Sequence, residues 1–219
     1  MLNWEYQDGE DNPKKPRSPS APKKVVKKVK TKNDASSAMD TVDGDDNIIY
    51  FYAGVSGKEN FKLNHKISHI DREMQMVAVK LGMDSPPPIH LHINSYGGSV
   101  FAAFGTIDYI MSAKTPVYTY IDACAASAGT IMSVCGNRRF MGEHAYMLVH
   151  QLSSQHWGKF QELKDDMENS EKLMERIKEI YMQKTKIPKT KMDEILKHDL
   201  WWDAKTCLRY GLVDDIKTS

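Results

Sequence analysis

Hydrophobic residues from about position 47 onward follow two alternating patterns. Short apolar runs typical of buried strands occupy residues 48–52, 89–93, 117–121 and 146–149. Between these runs, apolar residues recur at helical spacing over 67–81, which ends before Gly82, and then over 100–111 and 130–134. This alternation predicts an α/β fold with a mostly parallel sheet and flanking helices. In such folds, the turns at the carboxyl ends of the strands gather reactive groups.

A longer amphipathic segment follows, over residues 160–185, and it predicts a long helix that projects from the sheet. One stripe of this segment is apolar and the remainder is highly charged. The stripe consists of Phe160, Leu163, Met167, Met174, Ile177 and Tyr181. Packing on the same domain and packing against another subunit both explain the stripe, and both remain open here.

The first 46 residues are polar and have little to bury, which predicts a disordered basic arm at 1–46 followed by a catalytic domain at 47–219. Basic residues without an intervening acid lie at Lys14, Lys15, Arg17, Lys23, Lys24, Lys27, Lys28, Lys30 and Lys32. No aromatic residue lies among them to stack on a base, so nucleic-acid binding is not expected. A solvated tail, anion docking and targeting remain the alternatives for the arm.

Net charge, cysteine spacing and the length of apolar runs indicate which partners, metals and location to expect. The 219 residues carry a net charge of +1, which favours neither an acidic nor a basic partner. Cys124, Cys135 and Cys207 have no paired or zinc-ligand spacing, so we expect free thiols in a reducing compartment and no metal. No segment approaches about 20 continuous apolar residues, and the amino terminus lacks a secretory pattern. We therefore expect a soluble, intracellular, cytoplasmic protein with no membrane partner.

Three turns carry candidate chemistry. Ser127 lies among small residues where a predicted strand meets a helix, so its hydroxyl is accessible and the amides that follow are free at the helix start. Gly97 and Gly98 form a second small-residue turn, and His150 ends a strand. Taken singly, Ser127 is typical of helix packing and His150 of a core histidine. Together they predict a nucleophile, a base and oxyanion donors that converge from separate turns.

The order of four motifs along residues 48–216 resembles the proteolytic subunit of the Clp protease family (ClpP). The motifs are Asn94-Ser95-Tyr96-Gly97-Gly98-Ser99, Ala125-Ala126-Ser127-Ala128-Gly129, His150-Gln151 and Tyr210-Gly211-Leu212-Val213-Asp214. Each motif is weak alone, and their joint order and spacing make the resemblance specific. It implies the ClpP/crotonase-like α/β fold.

The resemblance also implies roles for individual residues. Ser127 matches the nucleophile, His150 the general base, and Asp199 the carboxylate that orients the histidine. The amides of Gly98 and Ala128 match the oxyanion donors, and Gly97 and Ser99 border the substrate. Asp203 lies one turn beyond Asp199 and is the alternative carboxylate.

The chain departs from the family pattern at several positions. Tyr96 stands where proline is common, and Ala128 stands where methionine is usual. In the family, a glycine-rich segment and the long helix that follows it interlock two rings. Residues 153–158 replace that segment in this chain. The short apolar gating loop of the family is not recognisable at the amino end, so an unfoldase partner is the weakest implication.

The function implied by the resemblance is serine endopeptidase activity through an acyl-enzyme, on peptide or unfolded protein substrates. No metal or organic cofactor is expected, and ATP would enter only through a partner unfoldase. The expected assembly is a homo-oligomer of two stacked heptameric rings. Alternatives are a related protease without an unfoldase, for example in capsid maturation, a non-catalytic structural ring subunit, and a crotonase-like hydratase.

Overall fold

Strands and helices alternate through residues 41–217, which are the part of the chain that the computed structural model describes. The strands are β1 (Thr41–Asp43), β2 (Ile48–Tyr52), β3 (Ile89–Ser95), β4 (Val117–Ala126), β5 (Arg138–Gly142), β6 (Tyr146–Leu148), β7 (Trp201–Asp203) and β8 (Asp215–Lys217). The helices are α1 (Gly57–Leu81), α2 (Val100–Ser112), α3 (Ala128–Ser133), α4 (Phe160–Lys184), α5 (Lys189–Leu196) and α6 (Ala204–Arg209). None of the helices within this range is long and apolar enough to cross a membrane.

The strands form one mostly parallel sheet, as predicted. Its order is β1-β2-β3-β4-β5-β8, and β2 through β8 of this path pair in parallel while β1 is antiparallel at the edge. Strand β4 changes partner along its length, since it pairs with β5 up to Ile121 and with β6 from Cys124 onward. Strand β7 then pairs antiparallel with β6. The split of β4 places the end of β6 beside the end of β4.

The core lies between the sheet and its helices. Alternate residues of β3, namely Ile89, Leu91 and Ile93, are fully buried, as the two-residue period of a strand requires. Helix α1 begins where the Ser56 side chain accepts a hydrogen bond from the Glu59 amide, and it ends at Gly82 as predicted. Helices α1, α2 and α3 contribute apolar side chains to one continuous buried cluster with the sheet.

Each strand and helix predicted from hydrophobic patterning is present, and six further elements were missed. Strand β5 reads Arg-Arg-Phe-Met-Gly, and β7, β8, α5 and α6 are short or highly polar, so none has a periodic apolar signal. The domain also begins earlier than the predicted boundary at residue 47. Strand β1 extends the sheet through backbone hydrogen bonds to β2, which hydropathy does not register. The lysine-rich stretch lies outside the described residues.

The apolar stripe of helix α4 contacts its own domain along only part of its length. Ile177 and Tyr181 in its carboxyl-terminal half are buried in the domain core. In its amino-terminal half, Phe160 and Met167 are 75% and 59% exposed. The helix therefore packs on its own domain at one end and leaves its other end uncovered in the single chain.

Candidate active site

Ser127 occupies a strained turn between β4 and α3. Its backbone has φ 54° and ψ −122°, in the positive-φ region that residues other than glycine rarely adopt. The Ser127 amide donates to the Leu148 carbonyl at 3.0 Å, and its own carbonyl accepts from the Thr130 amide and hydroxyl at 3.0 and 2.6 Å. These contacts hold the turn. A sharp strand-to-helix turn of this kind projects a serine hydroxyl out of the backbone, as a nucleophile elbow does.

Thr130, which holds the Ser127 turn, is also hydrogen-bonded to helix α4. The Thr130 hydroxyl also hydrogen-bonds the hydroxyl of Tyr181, which is fully buried. Burial raises the pKa of Tyr181 far above its ordinary value, so this hydroxyl stays neutral. Helix α4 therefore supports the Ser127 turn from below through a hydroxyl pair that sequence patterning did not identify.

The predicted glycine turn packs directly against the Ser127 turn. A Cβ atom added at Gly97 would lie 2.6 Å from the Ala126 carbonyl oxygen and 2.7 Å from the Cβ of Ser127. A Cβ atom at Gly98 would lie 2.2 Å from the Val55 carbonyl oxygen. Both glycines have positive φ, 90° and 143° respectively. Only glycine fits at either position, as a tight turn between a strand and a helix requires.

Val55 fixes the glycine turn through its backbone. Its amide donates to the Gly97 carbonyl at 2.8 Å, and its carbonyl accepts from the Ser99 amide at 2.8 Å. The Ser99 hydroxyl caps α2 by accepting from the Ala102 amide. Ser99 was predicted to border the substrate, and its amide and hydroxyl are both already used within the protein. Because the Val55 contacts are all main-chain, no side-chain pattern signals this residue.

Two amides remain available at the site. Within residues 41–217, the N–H groups of Gly98 and Ala128 meet no hydrogen-bond acceptor. Ala128 is buried and begins α3, where first-turn amides point outward without intrahelical partners. These are the two amides that the sequence assigned to an oxyanion.

His150 and Asp199 are brought together from different elements. His150 follows β6, and its Nδ1 lies 3.3 Å from the Asp199 Oδ1. The Gln151 amide donates to the Leu196 carbonyl at 2.8 Å, which ties the end of α5 to the segment after β6 and so places Asp199. The Asp199 side chain is 76% exposed in the single chain. Asp203, the alternative, instead caps α6 by accepting from the Thr206 amide at 2.8 Å.

One cavity joins the nucleophile and base candidates. It has a volume of about 270 Å³, and Ser127, His150, Gly98 and Ala128 all line it. Its other walls include Tyr96 and Leu152. The Ser127 hydroxyl makes no hydrogen bond within the described residues, including to His150. Ser127 and His150 thus share a cavity without a hydrogen bond between them in the described residues, whereas His150 and Asp199 are already adjacent.

Aromatic residues border the same cavity on one side. The Tyr96 ring is exposed and meets the Trp201 ring edge to face, with centroids 6.3 Å apart. Tyr96 was noted in the sequence only as a departure from the proline common in the family, and Trp201 was not identified as a site residue. The apolar run from Leu200 to Trp202 is too short to show a period. Among residues 41–217, no cluster of His, Cys, Asp or Glu is arranged to hold a metal ion.

Comparisons with known proteins identify a family for this chain. A family model described as Clp protease matches residues 48–219. The ATP-dependent Clp protease proteolytic subunit 1 of Chlamydia muridarum is 33% identical over 141 residues, covering 62% of this chain and 73% of the relative. The corresponding subunit 1 of Protochlamydia amoebophila is 33% identical over 140 residues, covering 62% and 68%. Subunit 2 of Treponema denticola is 29% identical over 164 residues, covering 74% and 79%.

Proposed function

Because this chain belongs to the Clp protease family and is a serine-type endopeptidase of that family, we propose that Ser127, His150 and Asp199 form its catalytic triad. The observation that carries the proposal is the shared cavity, in which the strained Ser127 turn and the His150 ring meet. The position of Asp199 beside His150 Nδ1 supports the third role.

The chemistry is acyl transfer to serine followed by hydrolysis. Ser127 Oγ attacks the peptide carbonyl carbon while its proton passes to His150 Nε2, and the leaving amine takes that proton as the C–N bond breaks. Water then attacks the acyl-serine ester by the same route and restores the hydroxyl. Asp199 faces Nδ1, so it favours the tautomer that leaves Nε2 free to accept the serine proton.

The amides of Gly98 and Ala128 complete the proposed machinery. Neither amide meets an acceptor within residues 41–217 and both residues line the cavity, so the two amides are free to receive the oxyanion that develops on the substrate. Loss of one donor of this kind typically costs about 10²–10³-fold in kcat. Every step uses side chains and amides of this chain, so the proposal includes no metal or organic cofactor.

Proton transfer requires a hydrogen bond between the Ser127 hydroxyl and His150, and none joins them within the described residues of the single chain. Catalytic hydrogen bonds often shorten only when substrate is bound. We place the required adjustment at the segment that carries His150, because Ser127 is held by contacts on both sides of its turn. Substrate binding or subunit association would then bring the imidazole to the hydroxyl.

Assembly and partners form the outer part of the proposal. The relatives are named as subunits of ATP-dependent proteases, which supports a homo-oligomer of two stacked heptameric rings that acts on peptides and on proteins supplied by an ATP-driven unfoldase. The uncovered end of α4 supports burial against another subunit. The three cysteines are free thiols, which supports a reducing, cytoplasmic location.

Labelling with a fluorophosphonate, combined with native mass measurement, tests this function. The wild type should react covalently at Ser127, and Ser127→Ala should lose both labelling and peptide hydrolysis with an unchanged assembly mass. Cleavage retained by Ser127→Ala would remove Ser127 from the mechanism. A monomer at working concentration would refute the ring assembly without affecting the assignment of the nucleophile.

A further inference from the structure

A second Ser-His-Asp cluster lies in the loop between β6 and α4. The Ser154 hydroxyl is 2.7 Å from His156 Nε2, and His156 Nδ1 is 3.2 Å from the Asp166 carboxylate on α4. The Ser170 hydroxyl, one helical turn further along α4, is 3.4 Å from the same Nε2. The imidazole therefore has hydrogen-bonding partners on both ring nitrogens, and two of the three partners belong to the helix.

His156 is the point at which the middle of this loop is fastened to α4. The loop ends are held by backbone groups, since the Leu152 amide contacts Met174 Sδ at 3.0 Å and the Lys159 amide donates to Glu162 at 2.8 Å. Among the described residues 153–158, only His156 makes a polar side-chain contact with α4. An irregular segment with so few anchors depends strongly on each one.

The loop is a wall of the substrate cleft. Beside the cavity that contains Ser127 lies a second cavity of about 720 Å³, which is lined by His156 and Asp166 at one end. The two cavities share the wall residues Gly98, Val100, Leu152 and Ser153. A peptide bound across Ser127 and longer than the first cavity therefore extends along this loop.

We propose that His156 is a positioning residue that holds residues 152–158 against α4, so that the loop forms the binding wall for extended peptides. The inference rests on the proposed function, because it takes the Ser127 cavity as the place of cleavage. His156 touches no reacting atom and acts only through the loop. Its removal should therefore weaken the binding of substrates that reach the second cavity and leave the chemical step intact.

Kinetics on short and long substrates test the proposal with the full chain. For His156→Ala, KM for a ten-residue internally quenched peptide should rise about tenfold while kcat changes less than about twofold, because ordering a loop on binding costs affinity. A fluorogenic dipeptide, confined to the Ser127 cavity, should be cleaved as by the wild type. Glu171→Ala, at an exposed position of α4 that lines neither cavity, is the matched control and should change the cleavage of neither substrate.

Variants of Asp166, which lies beside His156 Nδ1, distinguish the positioning role of His156 from a general structural role. Asp166→Ala should reproduce the effect of His156→Ala, and the double variant should be no worse than either, since both changes break one connection. Asp166→Asn keeps an oxygen that accepts from Nδ1–H and should largely restore the wild-type KM. Equal losses on the short and long substrates, or additive effects of the two alanine changes, would overturn the proposal.

Hydrogen exchange provides a readout that does not depend on activity. Amides of residues 153–158 should exchange about fivefold faster or more in His156→Ala than in the wild type, and at the wild-type rate in Glu171→Ala. Unchanged exchange in His156→Ala would refute the positioning role of His156. A wild type that fails to react with fluorophosphonate would refute the proposed function instead, while the exchange result would still decide the role of His156.

Discussion

Replacing Ser127 by glycine should make the protein inactive and more stable at the same time. The serine is held at φ 54° and makes no hydrogen bond through its hydroxyl within the described residues. Its side chain therefore strains the backbone and contributes little bonding in return. Glycine removes the strain together with the nucleophile.

The size of the effect follows from the backbone conformation. A residue with a Cβ atom held in a sparsely populated positive-φ conformation costs about 1–3 kcal/mol. Glycine loses about 0.5–1 kcal/mol through the greater freedom of the unfolded chain. The difference is a net stabilisation of about 1 kcal/mol, which raises Tm by about 2–4 °C for a domain of this size.

Ser127→Ala is the matched control, because it removes the hydroxyl and keeps the Cβ atom. Thermal unfolding of the three proteins should be measured at one protein concentration, since assembly shifts apparent stability. We expect the alanine variant to melt within about 1 °C of the wild type and the glycine variant to melt higher than both. A glycine variant no more stable than the alanine variant would show that the turn is unstrained and that the geometry of the nucleophile is misassigned.

Three further outcomes follow from the structure. Asp199→Asn should reduce kcat about 10⁴-fold, whereas Asp203→Asn should retain activity because the Asp203 carboxylate caps α6. Equal losses of activity for the two variants in a peptidase assay would contradict the assignment of Asp199. Burial raises the pKa of Cys135 to about 11 and of Cys207 to about 12, so both thiols of the native protein should stay neutral and unreactive between pH 7 and pH 9. In the same pH range a thiol reagent should react faster with these cysteines in the unfolded chain, and rapid modification of either one in the native protein would argue against their burial. Deletion of residues 1–40 should leave Tm unchanged, since β1 is retained, and a lower Tm measured by calorimetry would show that the arm stabilises the domain.

Sequence patterning succeeds in this protein where one face of an element is consistently apolar. Strand β3 and helices α1 and α2 carry strong two-residue or helical periods, so their type follows from burial alone. The end of α1 was predicted correctly, whereas its start at Gly57 lies ten residues before the predicted one. The positions of Gly98 and Ser127 at strand ends follow from the same pattern, because parallel strands bring their carboxyl ends to one edge.

Contacts made by the backbone have no comparable sequence signal. The Val55 bridge to the glycine turn, the pairing of β1 with β2 and the φ of Ser127 depend on main-chain groups that every residue possesses. Residue type and hydropathy do not distinguish Asp199 from Asp203, and in the sequence only the family resemblance favoured Asp199. In the structure Asp199 lies beside His150 while Asp203 caps α6. Tertiary packing supplies this information.

The site depends on the register of the sheet as a whole. Val55 follows β2, Gly98 follows β3, Ser127 follows β4 and His150 follows β6, so each part comes from the end of a different strand. A slip between two of these strands would displace one part by more than 3 Å, since a strand rises by about 3.3 Å per residue. Nucleophilic catalysis requires reacting atoms to be placed within about 0.5 Å. Core side chains that lock the strands in register therefore determine activity as directly as the triad residues do.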